Sequence, residues 1–263
     1  MRVVDLTPEL EPLYLRCLED WDPETEIASV HRACWYSTYK ERGLRVKLAT
    51  DDDGRVGGMI QYVPIEDSPA VGRGLYFVLC VWVHGHDRGR GNFQGRGMGR
   101  ALLSAAEEDA RARGALGMAA WGLPLPIWMR ASWFVARGYR KVERRGIQTL
   151  VWKPFSPEAE PPRWPVGPKL EPQTVPGKVT VTGCMNGWCL AMGVSFERAK
   201  RAAEALGPDA VVRLADMKGR PPPHDWDEGL FVDDRPVRTG PPPTAARLAR
   251  LIRRRAAHLA TPR

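Results

Sequence analysis

Residues 94–99 read QGRGMG, and the run RALLSAAEEDARARG follows at 100–114. Gly114 supplies a stop, and the apolar residues here fall on one arc, so we predict a helix that packs on a sheet. The arc consists of Met98, Leu102, Leu103, Ala106 and Ala110. Glycines that open a helix leave main-chain N–H groups pointing outward at the positive end of the helix dipole. The stretch therefore predicts a site for a phosphate or pyrophosphate group.

The strand that leads to this loop is LYFVLCVWV, residues 75–83. Its apolar residues do not alternate with polar ones, which predicts a central strand buried on both faces. Before it, LRVKLAT and VGGMIQYV flank the turn sequence DDDG and predict a β-hairpin. After the helix we predict a strand over 116–122, a second helix over 127–138 and a closing pair of strands over 139–153.

The composition changes abruptly at residues 153–176, where prolines stand at eight of 24 positions. This predicts a semi-extended linker between a first domain, residues 1–152, and a second domain, residues 177–263. In the second domain a strand precedes the segment CMNGWC, and a helix, a strand, a hairpin and a last helix follow.

The chain of 263 residues carries 39 Lys and Arg against 31 Asp and Glu, and residues 177–263 hold 15 against 9. This balance suits anionic ligands, but a basic surface is commonly only solvated, so we do not expect a nucleic-acid partner. No apolar run is long enough to span a bilayer, and the N-terminus lacks the pattern of a signal peptide. We therefore expect a cytoplasmic protein without a membrane partner, and its five cysteines favour reduced thiols.

The order of strand, helices, hairpin, buried strand, glycine loop, helix, strand, helix and strand pair resembles the GCN5-related N-acetyltransferase (GNAT) family. The signature of that family is matched by Gln94, Gly97 and Gly99, and WFVARGYRKVE at 133–143 is similar to its helix-Gly-aromatic-strand element. The resemblance covers about residues 1–152. With the C-terminal cysteine segment, the chain looks most similar to the YoaP-like branch, which joins a GNAT domain to a small thioredoxin-like domain.

The resemblance implies an α/β (α+β) fold class, with a mixed, mainly antiparallel sheet and flanking helices, plus a small thioredoxin-like α/β domain. It also implies acetyl-CoA as cosubstrate, no metal, and direct attack on the thioester by the amine of a small molecule or peptide. The pantetheine amides would pair with the backbone of Val81, Trp82 and Val83. The pyrophosphate would lie on the loop Gln94, Gly95, Arg96, Gly97, Met98, Gly99 and Arg100. The alternative is a non-catalytic sensor that binds acetyl-CoA or thiols, or a redox-linked binding protein.

The glycine loop stands unusually far from its strand. Gln94 follows Val83 by eleven residues, whereas the family pattern has about five, and a near copy of the motif, RGRGNF, lies between them at 88–93. The last position of this first copy is Phe93, and a ring there keeps the backbone from approaching a pyrophosphate. We therefore predict that the second copy binds and that 85–93 is an inserted loop. The other interpretation is that the insertion blocks the site.

The family usually has a Tyr as general acid, and Phe134 occupies that position. A thiol with a pKa near 8.5 leaves tolerably as the anion, whereas an amine with a pKa of about 10 must first lose a proton. The general base is therefore the more important group. The candidates for this base are Glu66, His84, Tyr139, His86 and Ser132.

Cys184 and Cys189 follow a strand and precede a helix, the position at which a thiol gains acidity from the helix N-terminus. Four residues separate them, so their sulfurs meet only if Asn186-Gly187 forms a turn. Three interpretations stay open: a redox or thiol-ligand pair, a soft-metal site with His224, and two plain thiols on a recognition domain.

Overall fold

The first sheet of the computed structural model is built around the apolar strand β4 (Leu75–Val83). Its strand order is β1-β2-β3-β4-β5-β7-β6, and β4 with β5 is the parallel pair among antiparallel ones. This sheet and its flanking helices confirm the predicted mixed, mainly antiparallel α/β architecture of the first domain. The other strands are β1 (Arg2–Asp5), β2 (Arg45–Thr50), β3 (Val56–Pro64), β5 (Gly117–Gly122), β6 (Arg140–Arg145) and β7 (Gln148–Pro154).

The structure describes residues 1–125, 128–167, 172–217, 228–237 and 240–260. The chain divides into two compact units, the first made of Met1–Asp22 and Tyr36–Val166, the second of Pro23–Trp35 and Gly167–Arg263. The helix α2 (Pro23–Lys40) contributes residues to both units.

Helix α3 (Met98–Ala112) follows the glycine loop and packs on the first sheet. Its buried residues include Met98, Leu102, Leu103, Ala106 and Ala110, which are the residues of the predicted apolar arc. Gly114 adopts φ +79 directly after the helix, the left-handed conformation expected of a helix stop. The remaining helices of the first unit, α2 apart, are α1 (Glu11–Leu15) and α4 (Ala131–Val135).

Helix α4 is shorter than the helix predicted over 127–138. Met129 has φ +46 and Arg130 is extended, so neither residue continues a right-handed helix. Ile127 lies outside the described residues. The first part of the predicted helix is therefore wrong, and residues 128–130 belong to a loop.

Part of the predicted linker packs on the first unit. Val71 and Arg163 exchange main-chain hydrogen bonds of 2.8 and 2.9 Å, and the side chain of Trp164 is buried. Buried apolar contact and paired backbone groups hold this proline-rich stretch in place.

The second unit contains a four-stranded sheet of order β11-β10-β8-β9. Strands β8 and β9 run parallel, and the other two pairs are antiparallel. Its core is apolar and includes Val181, Phe196, Leu230, Leu248 and Ile252. The elements are β8 (Val179–Met185), α5 (Leu190–Glu204), β9 (Ala210–Asp216), β10 (Gly229–Val232), β11 (Arg235–Pro236) and α6 (Ala245–Ala260).

Among the described residues, no helix combines the length and the apolar character that crossing a membrane requires.

Candidate functional site

The glycine loop turns the chain sharply into helix α3. Gly95 has φ +76 and Gly97, the residue that precedes the helix, has φ +83. A Cβ at either position would meet no atom within 4 Å, so the backbone conformation rather than crowding requires glycine there. The outer side of both residues is open to a ligand.

The loop presents a row of main-chain donors. The first main-chain hydrogen bond of the helix runs from the amide of Ala101 to the carbonyl of Gly97. No described residue accepts a hydrogen bond from the amides of residues 95–100. Gly95, Arg96 and Gly97 are exposed. Unpaired amides at the positive end of a 15-residue helix are the arrangement that anion-binding sites use, and such an arrangement suits a pyrophosphate.

The insertion is closed at its base by two residues. The amide of His84 donates to the carbonyl of Gly57 at 2.9 Å, which extends the ladder between β3 and β4, and the amide of Phe93 donates to the carbonyl of His84 at 2.9 Å. The Phe93 ring fills the place where a Cβ on Gly57 would lie, only 2.3 Å away. Residues 85–92 therefore form a side loop.

This closure explains the long spacing of the motif. In space Gln94 follows the strand almost directly, since its Nε2 lies 3.5 Å from the carbonyl oxygen of Val83. Phe93 is buried and its ring packs on the sheet, so the first motif copy does not present its backbone to a ligand. These contacts support the second copy as the anion loop and leave it uncovered.

Strands β4 and β5 diverge on the way to the loop. Their parallel pairing covers Leu75–Val78 and Gly117–Ala120, while β4 continues for five more residues, to Val83. On the other side Val81, Trp82 and Val83 stay paired with β3. The divergence leaves an opening along one edge of β4, at the residues predicted to pair with pantetheine.

Two side chains now bond to the backbone at this opening. The indole Nε1 of Trp121 donates to the carbonyl of Leu79 at 2.9 Å, and the amide of Val81 donates to the sulfur of Met129 at 3.3 Å. Met129 is held by main-chain bonds between its loop and Leu123. Because a thioether is a weak acceptor, an amide carbonyl can replace it at Val81.

Three arginines contribute positive charge near the loop. The Arg96 guanidinium lies 5.3 Å from the centre of the Phe93 ring, and that of Arg137 lies 3.9 Å from the centre of the Trp133 ring. Burial, and then the charge of Arg100, lowers the pKa of Arg137. Sequence reasoning does not predict Arg137 as a site residue, because Arg137 is far from Arg100 in the chain and only the fold brings the two together. A phosphate near both guanidinium groups would relieve their repulsion.

The structure separates the three main candidates for a general base. Glu66 is exposed in the short 3-10 helix Ile65–Asp67 that follows β3. Pro64 pairs with Tyr76 and Gly58 with Val83, so Glu66 lies beyond the end of β4 opposite the glycine loop. That distance is about 23 Å along the strand.

The other two main candidates are buried. His84 is 0% exposed, and its Nδ1 lies 2.7 Å from the carbonyl oxygen of Gly91. Tyr139 is 2% exposed and packs edge-on against Phe134. Burial, and then the charge of Glu107, raises the pKa of Tyr139 well above its ordinary value. A buried phenol that resists ionisation is a poor base, so these placements favour packing for Tyr139. Of the further options, Ser132 is exposed in α4, and His86 is 41% exposed with its Nε2 at 3.3 Å from a carboxylate oxygen of Glu19.

In the second unit, neither Cys184 nor Cys189 forms a disulfide bond. Cys184 is buried near the end of β8 and Cys189 caps α5. Gly187 has φ +101 and the amide of Trp188 donates to Asn186 Oδ1 at 3.1 Å, so the turn on which the pair depends is present. His224, the third member of the soft-metal interpretation, lies outside the described residues.

Glu228 is a further ionisable residue beside this turn, and the sequence pattern gave no signal for it. Its Oε1 accepts a hydrogen bond of 3.0 Å from the amide of Asn186. Burial raises the pKa of Glu228 to about 7, against the hydrogen bonds from Asn186, Trp188 and Gly187 that lower it. The carboxyl group therefore changes its charge near neutral pH, next to the residues that lead to Cys189.

Residues 7–122 match the model of the acetyltransferase (GNAT) family. The match bears out the predicted family for this segment and supports an acyltransferase that uses acetyl-CoA. No curated protein matches the chain.

Among solved structures, this chain is similar to the ribosomal-protein-alanine N-acetyltransferase from Brucella melitensis, with 21% identity over 59% of this chain and 100% of that one, and a TM-score of 0.43. It is also similar to the PaiA N-acetyltransferase from Thermoplasma acidophilum in complex with coenzyme A, with 12% identity over 59% and 100% of the chains and a TM-score of 0.42. A GNAT family acetyltransferase from Brucella melitensis in complex with acetyl-CoA has 18% identity over 62% and 94% of the chains, with a TM-score of 0.40. At these values, the likenesses carry no conclusion about substrates or residue roles.

Proposed function

We propose that the first unit is an acetyl-CoA-dependent N-acetyltransferase that acetylates the amine of a small molecule or peptide. The observation that carries the proposal is the row of unpaired amides at 95–100, which stands next to the opening between β4 and β5. An anion loop that adjoins a strand edge without a neighbouring strand suits a cosubstrate in which a pyrophosphate is followed by an amide-containing arm.

The direction of binding follows from the ends of β4. A pyrophosphate on the glycine loop and pantetheine amides on Val83 to Val81 would point the thioester toward Leu79, where the opening ends. Glu66 lies farther along the same direction, beyond the Leu75 end of β4, and is the exposed member of the three main base candidates.

In the reaction, the amine nitrogen bonds to the thioester carbon, the carbon–sulfur bond breaks and CoA leaves as the thiolate. Phe134 stands at the family's usual acid position and is buried, so the thiolate leaves without a proton from that side chain. The substrate amine loses its proton to a base, for which we propose Glu66.

The test is acetylation of a panel of aminoglycosides, thiol-containing amino compounds and peptides, followed by mass spectrometry of the acetylated product. We expect turnover with at least one class, and Glu66→Gln should lower kcat by about 10²- to 10⁴-fold. Glu108→Gln, another exposed carboxylate of the first unit, is the matched control and should keep the wild-type rate. Calorimetric binding of acetyl-CoA without any turnover would instead favour the sensor.

We also propose that the second unit is a thioredoxin-like domain of the kind found in the YoaP-like branch, and that Cys184 and Cys189 form a redox or thiol pair. Support comes from the β-α-β-β-β-α order, from the turn at Asn186-Gly187 and from Cys189 at the start of α5. Differential alkylation after mild oxidation tests the pair. Equal labelling of both thiols with and without reductant would contradict it.

A further inference from the structure

Three side chains with metal-binding atoms meet beside the base of the inserted loop. Glu19 follows α1, His84 follows β4, and His86 is two residues into the insertion. Their ligand atoms all lie within 4.8 Å of one another. His84 Nε2 is 3.6 Å from one carboxylate oxygen of Glu19, and His86 Nε2 is 3.3 Å from the other.

The hydrogen bonding of His84 fixes which nitrogen faces the cluster. A carbonyl oxygen only accepts, so Nδ1, at 2.7 Å from Gly91 O, carries the proton. Nε2 is buried without a hydrogen-bond partner, and His84 itself is 0% exposed. A histidine that donates one ring N–H to a backbone carbonyl and aims the other nitrogen inward has the arrangement of a metal ligand.

The spacing suits a small dication. His84 Nε2 and a carboxylate oxygen of Glu19 are 3.6 Å apart, which is too far for a good hydrogen bond. A cation between the two atoms would bind to both. Two ligands bound at about 2.1 Å to a tetrahedral ion lie about 3.4 Å apart, which is close to both observed separations.

The donor set selects the class of metal. Imidazole nitrogens prefer zinc and related transition metals over Mg²⁺ and Ca²⁺, which prefer oxygen ligands. The side chain of His86 is 41% exposed, which gives an ion a route from solvent and leaves room for water as a further ligand.

The same loop is fastened to the turn that carries Glu19. Arg90 donates to Asp20 at 2.9 Å, and the ring of Trp21 packs edge-on against His86. These contacts hold the inserted loop, which carries His86, against the turn that carries Glu19.

We propose that Glu19, His84 and His86 bind one zinc-class divalent ion, which clamps the inserted loop to the turn after α1. The residue pattern predicts no metal in this part of the chain and leaves a metal open only at the C-terminal cysteines. Glu19 precedes His84 by 65 residues and only the fold brings them together, so the pattern holds no signal for this site. The proposal does not depend on acetyl transfer.

The test uses the full chain, stripped of metal with a chelator and dialysed. Zn²⁺ is titrated by calorimetry, and Co²⁺ is added as an optical probe. We expect one equivalent of Zn²⁺ to bind, weak or no binding of Mg²⁺ and Ca²⁺, and a Co²⁺ spectrum without a thiolate charge-transfer band.

Glu19→Gln and His86→Gln should each weaken Zn²⁺ binding by at least about tenfold. His258→Gln, which changes an exposed histidine of α6, is the control and should bind as the wild type does. Circular dichroism verifies that each variant is folded. Failure of the wild type to bind, unchanged affinity in both variants, or a thiolate band from Co²⁺ would overturn the proposal.

Discussion

The sulfur of Met129 accepts a hydrogen bond from the main-chain amide of Val81 at 3.3 Å, at the edge where β4 has left β5. If this edge receives pantetheine, the thioether has to leave first. Met129→Ala should therefore tighten CoA binding about two- to fivefold, since the displaced bond is a weak one. Calorimetry with CoA measures the change.

Met129→Leu serves as the comparison for this variant. Leucine keeps most of the volume but has no acceptor, and Leu–Met exchanges are usually tolerated. Tighter binding in both variants assigns the effect to the hydrogen bond, and tighter binding in the alanine variant alone assigns it to bulk. Equal Kd values in all three proteins would show that Met129 does not compete with CoA.

Gly97 and Gly54 form a matched pair of glycines. They have φ of +83 and +79, and a Cβ at either would meet nothing within 4 Å, but only Gly97 belongs to the anion loop. Glutamine at either position should cost about 1 kcal/mol of stability through the left-handed backbone. Gly97→Gln should in addition weaken CoA binding at least about tenfold, whereas Gly54→Gln should not. Equal CoA affinity in the two variants would place the pyrophosphate elsewhere.

Arg100 is predicted to have opposite effects on stability and on binding. It lies in the first turn of α3, where a positive charge opposes the helix dipole, and its charge lowers the pKa of Arg137. Arg100→Gln should therefore raise the free energy of unfolding by about 0.5 kcal/mol. It should also weaken CoA binding about tenfold, since a charged contact to phosphate is lost. Thermal unfolding and calorimetry read the two effects, with the exposed Arg140→Gln as control. A variant that loses stability, or one that binds CoA as tightly as the wild type does, would contradict the assignment.

Glu228 should make the stability of the protein fall as the pH rises through its titration range. Burial raises its pKa from 4.5 to about 7 in the folded protein, so the folded state binds the proton more tightly than the unfolded state does. The stabilisation by protonated Glu228 is fully present below about pH 4.5 and is lost as the pH rises to about 7. The free energy of unfolding falls over this range by at most about 3 kcal/mol.

Glu228→Gln should remove this slope and make the protein more stable than the wild type at pH 8. Urea unfolding at pH 5 and pH 8 measures the difference between the two proteins. Glu204→Gln, at the exposed end of α5, controls for the loss of a carboxylate and should keep the wild-type slope. A slope that persists in Glu228→Gln would assign the pH dependence to other groups.

Local patterns were sufficient to predict most elements of the fold. The unbroken apolar run gave β4 with its observed bounds, and the glycines at 97 and 114 flanked α3 as predicted. Such features depend on side-chain periodicity and on residues with special backbone preferences, which are visible in a sequence. The start of α4 was predicted too early because apolar residues at 127–129 fit a helical pattern, although Met129 is left-handed.

The candidate site was predictable only where its chemistry resides in neighbouring residues. The anion loop is continuous in sequence, whereas the cluster of Glu19 with the two histidines and the approach of Arg137 to Arg100 depend on tertiary packing. The burial of individual side chains could not be predicted from the sequence either. His84 and Tyr139 carry groups that suit a base, but the fold buries both of them. Residue type gives the chemistry a side chain can perform, and exposure decides whether a substrate meets it.

The hydrogen bond between Phe93 and His84 has a consequence for how such loops are recognised. It makes the path from strand to helix independent of the number of residues between them, because the chain leaves the sheet at His84 and rejoins it at Phe93. Insertions of other lengths at this point should leave the anion loop equally well placed. Motif searches that fix the distance from strand to glycine would overlook such chains, whereas a search for the glycine pair and its helix would find them.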